Sequence, residues 1–262
     1  MNYKALLELA IKAAYTAGEE ILLVYNAGEI TVDYKVDNSP LTLADQHAHL
    51  AIVAGLKSSG IPILSEEAEE IPYDERAQWE TFWMVDPLDG TKEFIQRNGE
   101  FTVNIALMQH NQAVLGVVYA PVSGQLFYGG TALGYAAVKE GETTRRLITL
   151  PKRNLQALHQ SKNTNIISSR FHQNQETTDF IQEFDEPCVV TMGSSLKFML
   201  LAQGDADVYP RFAPCMEWDT AASDAILRAV NRGIYQVNAM NKITVPLEYN
   251  KDYLLNPSFI AY

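Results

Sequence analysis

Four apolar residues, Phe82-Trp83-Met84-Val85, run directly into Asp86-Pro87-Leu88-Asp89-Gly90-Thr91-Lys92-Glu93-Phe94. A short apolar run bounded by turn signals reads as a buried strand. The string therefore sits where a strand ends and a loop begins, and two carboxylates three positions apart on such a turn can point into one cleft. Hard cations such as Mg²⁺ are held by carboxylates, backbone carbonyls and water. Gly90 permits a sharp turn, and Thr91 offers a hydroxyl beside it. Asp-Pro and Asp-Gly alone are ordinary turn punctuation. Two further acidic elements set this string apart, Glu66-Glu67 upstream and Trp218-Asp219 downstream.

With 262 residues, 47% of them hydrophobic, the chain can bury a sizeable core as one large domain or two small ones. The net charge of -12 and the absence of a basic run argue against nucleic-acid binding. An anionic substrate would need bound cations to reverse the local field. The two cysteines, Cys188 and Cys215, form no zinc pattern and no disulfide framework; they are expected to be buried thiols in a reducing compartment. Glu8, Lys12, Glu19 and Glu20 interrupt any signal-peptide core, and no uncharged span reaches membrane-crossing length, so a cytoplasmic protein is expected.

Leu6, Leu9, Ala10, Ala13, Ala17, Ile21 and Val24 have helical spacing over 3–26, with Asn26 and Gly28 as the stop. Ile30, Val32, Tyr34 and Val36 alternate with polar residues as in a half-buried strand. Thr42-Leu43-Ala44-Asp45 opens a helix to about Lys57, and Ile61–Leu64 is a short strand leading to Glu66. Phe101–Met108 and Val114–Tyr119 suggest a hairpin around His110-Asn111, and Leu126–Tyr128 and Tyr135–Val138 continue it. The polar segment from Pro151 to Thr164 is a candidate linker. Beyond it, strands are expected at Ile166–Ser168 and Val189–Met192, and helices at Thr177–Phe184, Ser195–Gln203 and about Asp219–Asn231. The expected division is an α+β domain over 1–155, carrying most metal ligands, and an α/β domain over 156–262, supplying Asp219 and substrate contacts.

Glu66, Asp86, Asp89 and Asp219 each fall at a strand end or helix start, where side chains can share a cleft. Each also has a plainer reading: Glu66 belongs to an acidic run, Asp219 can be an N-cap, and Thr42 with Asp45 can form a capping box. His47 and His49 lie two apart on a helix and face different ways, which argues against metal ligation by the pair. Lys197, in Ser194-Ser195-Leu196-Lys197, is either a phosphate contact or an exposed lysine.

Together, Ser39-Pro40-Leu41-Thr42-Leu43-Ala44-Asp45, Leu64-Ser65-Glu66-Glu67, Asp86 to Phe94 and Glu217-Trp218-Asp219-Thr220-Ala221-Ala222 resemble the inositol monophosphatase superfamily of Mg²⁺-dependent, lithium-sensitive phosphatases. Lys92-Glu93-Phe94, Asn38 to Thr42 and Cys215 to Asp219 are most similar to its bacterial CysQ subgroup, the 3'(2'),5'-bisphosphate nucleotidases. The pattern departs from the family at Ser223, around Asn231-Arg232-Gly233 and over 236–244, where glycines are usual.

The resemblance implies an α/β fold with α+β character in the N-terminal half, a layered α-β-α-β-α sandwich. It implies hydrolysis of 3'-phosphoadenosine 5'-phosphate to AMP and phosphate by a metal-activated water, in recycling of this by-product of sulfate assimilation. Two or three Mg²⁺ ions would be held by Glu66, Asp86, the Leu88 carbonyl, Asp89 and Asp219. Asp45, Glu66 and Thr91 would be catalytic. The substrate would meet Glu66, Leu88, Asp89, Gly90, Thr91, Lys92, Ser195, Lys197 and Asp219. No nucleic acid and no stable protein partner is expected, and the location would be the cytoplasm or, by weak peripheral attachment, the cytoplasmic face of the inner membrane. The alternatives are an inositol or sugar (bis)phosphatase of the same superfamily and a non-enzymatic divalent-cation-binding protein; Lys92 argues against the first and the Thr91–Asp45 pair against the second.

Overall fold

A computed structural model of the protein describes residues 1–27, 32–34, 40–171, 174–238 and 243–262. Gly28, Ile30, Val36, Asn38, Ser39 and the middle of the 236–244 segment lie outside the described residues.

Helix α1 (Tyr3–Asn26) forms over the expected span and buries Ala10, Ala13, Ala17 and Ile21 as expected; Leu7 and Ala14 join them, while Leu6, Leu9 and Val24 are only half-buried. A two-stranded antiparallel ribbon, β1 (Val32–Tyr34) and β2 (Pro40–Thr42), enters α2 (Leu43–Leu56). Thr42 and Asp45 make the reciprocal capping box that starts α2. Seven strands then assemble in sequence order into one sheet: β3 (Ile63–Ser65), β4 (Thr81–Asp89), β5 (Thr102–Gln109), β6 (Gln112–Ala120), β7 (Gln125–Gly130), β8 (Tyr135–Glu140) and β9 (Thr143–Arg146). Strand β3 runs parallel to β4, and the later neighbours pair antiparallel. The short helices α3 (Tyr73–Arg76) and α4 (Thr91–Ile95) flank β4. His110 and Asn111, both at positive φ (48° and 58°), turn the β5–β6 hairpin where expected.

The C-terminal part contributes α5 (Leu155–His159), β10 (Asn165–Ser169), α6 (Gln175–Gln182), β11 (Cys188–Met192), α7 (Leu196–Gln203), β12 (Tyr209–Arg211), α8 (Trp218–Ala229), β13 (Ile234–Val237), β14 (Ile243–Pro246) and β15 (Phe259–Ala261). Strands β10 and β11 are a parallel pair, and β12-β15-β13-β14 form an antiparallel sheet.

The period of two along β4 explains the layering. Trp83 and Val85 enter a core with Ile21 of α1 and with Ile52 and Leu56 of α2. Phe82 and Met84 enter the opposite core with Phe198 of α7, Ala222 and Ile226 of α8, and Phe259 of β15. A third core joins Leu158 of α5 and Phe180 of α6 to Ile166, Val237 and Ile260. The result is the α-β-α-β-α sandwich.

Three expectations need correction. Strand β4 does not stop at Val85; it pairs with β5 as far as Asp89, with a register shift between Asp86 and Asp89. Pro87 has no N–H to give the ladder, and the extra residue forms a bulge of the kind that re-aims side chains beside active sites. The expected linker 151–164 contains helix α5, capped by Asn154. Cys188 is exposed, because β11 presents most of its residues to solvent, and Cys215, outside that strand, is only half-buried. No helix among the described residues is long and apolar enough to cross a membrane.

Helix α8 lies almost on the backbone of β6. A Cβ at Gly116 would stand 2.0 Å from the carbonyl oxygen of Ala222, and Ala221, Ala222 and Ala225 keep this helix face small. Gly116→Ala should cost at least about 1–3 kcal/mol by overpacking, because the obstructing atom is backbone. Denaturant unfolding measures it; an unchanged midpoint would show that α8 is not seated this tightly.

Candidate active site

Three elements deliver the acidic residues. Glu66 comes directly after β3, its N–H donating to the Val85 carbonyl of β4 at 3.1 Å. Asp86 and Asp89 flank the bulge, and Asp219 lies in the first turn of α8. Carboxylate oxygens of Asp86, Asp89 and Asp219 lie within 4.8 Å of one another. Each carboxylate is aimed by a protein donor: Leu88 N to Asp86 Oδ1 at 3.1 Å, Ser194 Oγ to Asp89 Oδ2 at 2.7 Å, and Met216 N to Asp219 Oδ2 at 2.9 Å. Asp219 is thus not the N-cap, a position held by Glu217.

Burial, then the charges of Glu66, Asp89 and Asp219, push the Asp86 carboxyl well above the usual carboxylate range. Burial, then Asp89 and Glu66, push Asp219 up to about 8. The Asp219 carboxyl sits deep among protein atoms, although the residue keeps some exposure through the cleft mouth. An all-oxygen donor set whose members repel one another fits a hard divalent cation, whose charge removes the repulsion. Glu66, Asp86, Asp89 and Asp219 are the side chains that could hold it, with the buried Leu88 supplying a carbonyl at the same place.

Asp45 makes the cap the sequence suggests and also contacts Thr91. Its Oδ2 accepts from Thr42 N at 2.7 Å and Thr42 Oγ1 at 2.6 Å, completing the cap. Its Oδ1 accepts from Thr91 Oγ1 at 3.3 Å. Gly90 adopts φ 95°, a left-handed turn that puts Thr91 at the start of α4. His49 bonds Ser65 at 2.9 Å while His47 lies 3.7 Å from Glu20, so the two diverge.

The acids open into a cleft of about 930 Å³. Lys92 is an exposed residue on its rim. Lys197 is not an exposed lysine: it is 6% accessible, lies over the Tyr209 ring, and has its pKa pushed down to about 8 by burial, against the pull of Asp89. Arg211, also buried, lines the same wall, its guanidinium anchored on the carbonyls of Ala213 and Pro214. Ser195 lines the cleft, but its hydroxyl is engaged, donating to Asp219 O at 3.0 Å and accepting from Asn104 Nδ2 at 2.9 Å.

Sequence reasoning missed Ser194, Thr102, Asn104 and Arg211. Ser194 takes φ 49°, bonds Asp89, and shares a 2.7 Å hydrogen bond with Thr102. Asn104 accepts from Thr102 at 2.9 Å and reaches Asp89 at 3.3 Å. The available signal is positional: Asn104 and Thr102 pair across the ladder with Asp86 and Asp89.

The raised Asp219 pKa has a definite sign. Its folded value of about 8 exceeds its ordinary 3.8, so the stabilisation it gives the metal-free protein is complete below the unfolded value and disappears as pH climbs through about 8. In chelator, the melting temperature should fall from pH 5 to pH 8. Added Mg²⁺ should restore it by an amount that grows with pH. A Mg²⁺-induced shift independent of pH would contradict this arrangement of acids.

The sequence model of the inositol monophosphatase family matches residues 2–258. The 3'(2'),5'-bisphosphate nucleotidase CysQ of Shigella flexneri is 40% identical over 258 residues, 97% of this chain and 98% of that protein. The protein of the same name from Escherichia coli strain K12 is 39% identical with the same coverage. The crystal structure of CysQ from Bacteroides thetaiotaomicron, described as a bacterial member of the inositol monophosphatase family, aligns with a TM-score of 0.83 at 42% identity, covering 99% of this chain and 97% of that one. On fold, on the acidic site and on these likenesses, the chain belongs to the inositol monophosphatase family.

Proposed function

We propose that this chain is a Mg²⁺-dependent 3'(2'),5'-bisphosphate nucleotidase that converts 3'-phosphoadenosine 5'-phosphate to AMP and phosphate. The observation that carries this reading is the pairing of opposite charges in one cleft. The carboxylate cluster serves a phosphate that arrives with cations. Lys197 and Arg211, buried beside it, offer a second anionic group direct ion pairing. A phosphate monoester would bring those two cations no second anion to meet. The nucleotidase name carried by relatives about 40% identical supports the same choice.

Glu66, Asp86, the Leu88 carbonyl, Asp89 and Asp219 are the assigned ligands. When bound, divalent cations supply a low-pKa water and neutralise charge on the phosphoryl oxygens. The chain's own contribution is positioning. With its proton directed to Asp45, the Thr91 hydroxyl is left as an acceptor, able to orient a water by one of its hydrogens. Asp45 cannot swing away, because its other oxygen is held by Thr42. The Gly90–Thr91 turn offers backbone N–H groups to the scissile phosphate. Lys92 on the rim meets negative charge on entry. The setting we assign is the cytoplasm, as a step that removes the by-product of sulfate assimilation.

Phosphate release with Mg²⁺ should be fastest from 3'-phosphoadenosine 5'-phosphate, in parallel with AMP, inositol 1-phosphate and fructose 1,6-bisphosphate. Preference for either of the last two would overturn the substrate assignment and keep the metal site. Asp89→Asn should lose turnover by roughly a hundredfold or more, the upper range for residues that merely support metal sites, with its circular dichroism unchanged; full activity at saturating Mg²⁺ would refute the ligand role. Lys197→Met should raise KM for the bisphosphate about 10- to 100-fold. At saturating Mg²⁺, where a bound cation offsets the pull of Asp89 and Asp219 that keeps the burial-lowered pKa of Lys197 from falling below about 8, the wild-type KM should climb with pH from below pH 8, as the lysine loses its charge. Lys197→Arg, which stays charged, should flatten that rise.

A further inference from the structure

Asp219 and Glu66 come from elements far apart in sequence, and one buried polar network ties the connection after Glu66 to the residues just before Asp219. Arg76, 3% accessible, lies in α3 on the connection between Glu66 and β4. Its guanidinium donates to Asn250 Oδ1 at 2.8 Å, the Lys251 carbonyl at 2.7 Å and the Asp252 carbonyl at 2.6 Å. Asn250 returns a bond from Nδ2 to the Arg76 carbonyl at 2.9 Å. Asn250 is at φ 58°, so the strap 248–256 turns sharply at this contact. From the strap, the backbone N–H groups of Asn250 and Lys251 and the Lys251 ammonium all donate to Glu217, which is fully buried and immediately precedes α8. Glu217 N donates in turn to the Leu254 carbonyl at 2.9 Å. Asn256 closes the other side, donating to the Met216 carbonyl at 2.8 Å and to Thr220 Oγ1 at 3.1 Å. The start of α8, and with it Asp219, is therefore gripped from two sides by the strap, and Arg76 grips the strap.

We infer that Arg76 and Glu217, acting through the strap 248–256, are positioning residues that hold Asp219 against Glu66, Asp86 and Asp89 and so set the affinity of the site for its divalent cation. Neither faces the cluster as a ligand. Without the brace, like charges would relax by moving the α8 start outward, the one acidic element not on the seven-stranded sheet. A guanidinium fork fixes direction as well as distance, and three bonds to two carbonyls and an amide leave the strap one orientation. The inference rests on the metal-site reading but not on the choice of substrate.

The test is Mg²⁺ binding without substrate, monitored by calorimetry and by the fluorescence of Trp218, which adjoins Asp219 and lines the cleft. Arg76→Met should bind Mg²⁺ about tenfold more weakly, the scale of lost support behind metal ligands. Arg76→Lys should recover part of the affinity, and turnover should return at saturating Mg²⁺ with KM for the nucleotide unchanged. Phe180→Leu, in the outer core, controls for general loss of stability and should leave Mg²⁺ affinity unaltered. A folded Arg76→Met protein with wild-type affinity overturns the inference. If that protein does not fold, Lys251→Met decides: weaker Mg²⁺ binding supports the brace and unchanged binding overturns it. Asp89→Asn separates the readings: if it too binds Mg²⁺ normally, the metal-site assignment has failed rather than the brace.

Discussion

Carboxylates a few ångströms apart repel one another, and much of this fold serves to keep four of them together. Two are fixed by the bulge around Pro87, where the strand ladder skips and turns Asp86 and Asp89 to the same side. The third sits at the end of a parallel strand bonded to that ladder. The fourth arrives on a helix seated so closely on Gly116 that not even a Cβ fits at that position. Burial first, and then this repulsion, raise the Asp86 and Asp219 carboxyls, and a bound cation would relieve the repulsion. Rigidity of this kind is the usual condition for phosphoryl transfer, in which placement and charge stabilisation supply most of the rate.

The parts legible in the sequence are those whose chemistry is contiguous. The apolar run into Asp86 declares both a strand and a candidate site, the spacing of Leu6 to Val24 declares α1, and Thr42-x-x-Asp45 declares the start of α2. The hidden parts depend on register and on distant pairing. Thr102 and Asn104 look like two polar residues in a strand until the ladder sets them opposite Asp89 and Asp86. Arg76 and Asn250 are 174 positions apart, and no local pattern links them. In the sequence Glu217 is only part of a motif, yet it is the residue on which the strap converges. Cys188 departs from expectation because the usual burial of cysteine says nothing about a strand left at a solvent-facing edge.

The departures from the family's glycine pattern have a physical answer at one place and none at another. Asn231 leaves α8 at φ 62°, the left-handed conformation that asparagine tolerates better than most residues, and its side chain secures the Leu150 carbonyl at 3.1 Å. Ser223 is wholly buried in α8, and its hydroxyl has no hydrogen-bond partner among the described residues; nothing in the structure explains its preference over glycine. Neither change touches the acids.

Asp45 belongs both to the end of a helix and to the hydroxyl beside the metal site, and that sharing links two timescales. Helix ends are the first places to open in a native protein. On the proposed mechanism, opening of the first turn of α2 would release Oδ2 from Thr42 and deprive Thr91 of its proton acceptor, while the elements that carry the acids stay folded. Such an opening would slow turnover without unfolding the rest of the chain, and amide hydrogen exchange at Ala44 and Asp45 would read how often it occurs.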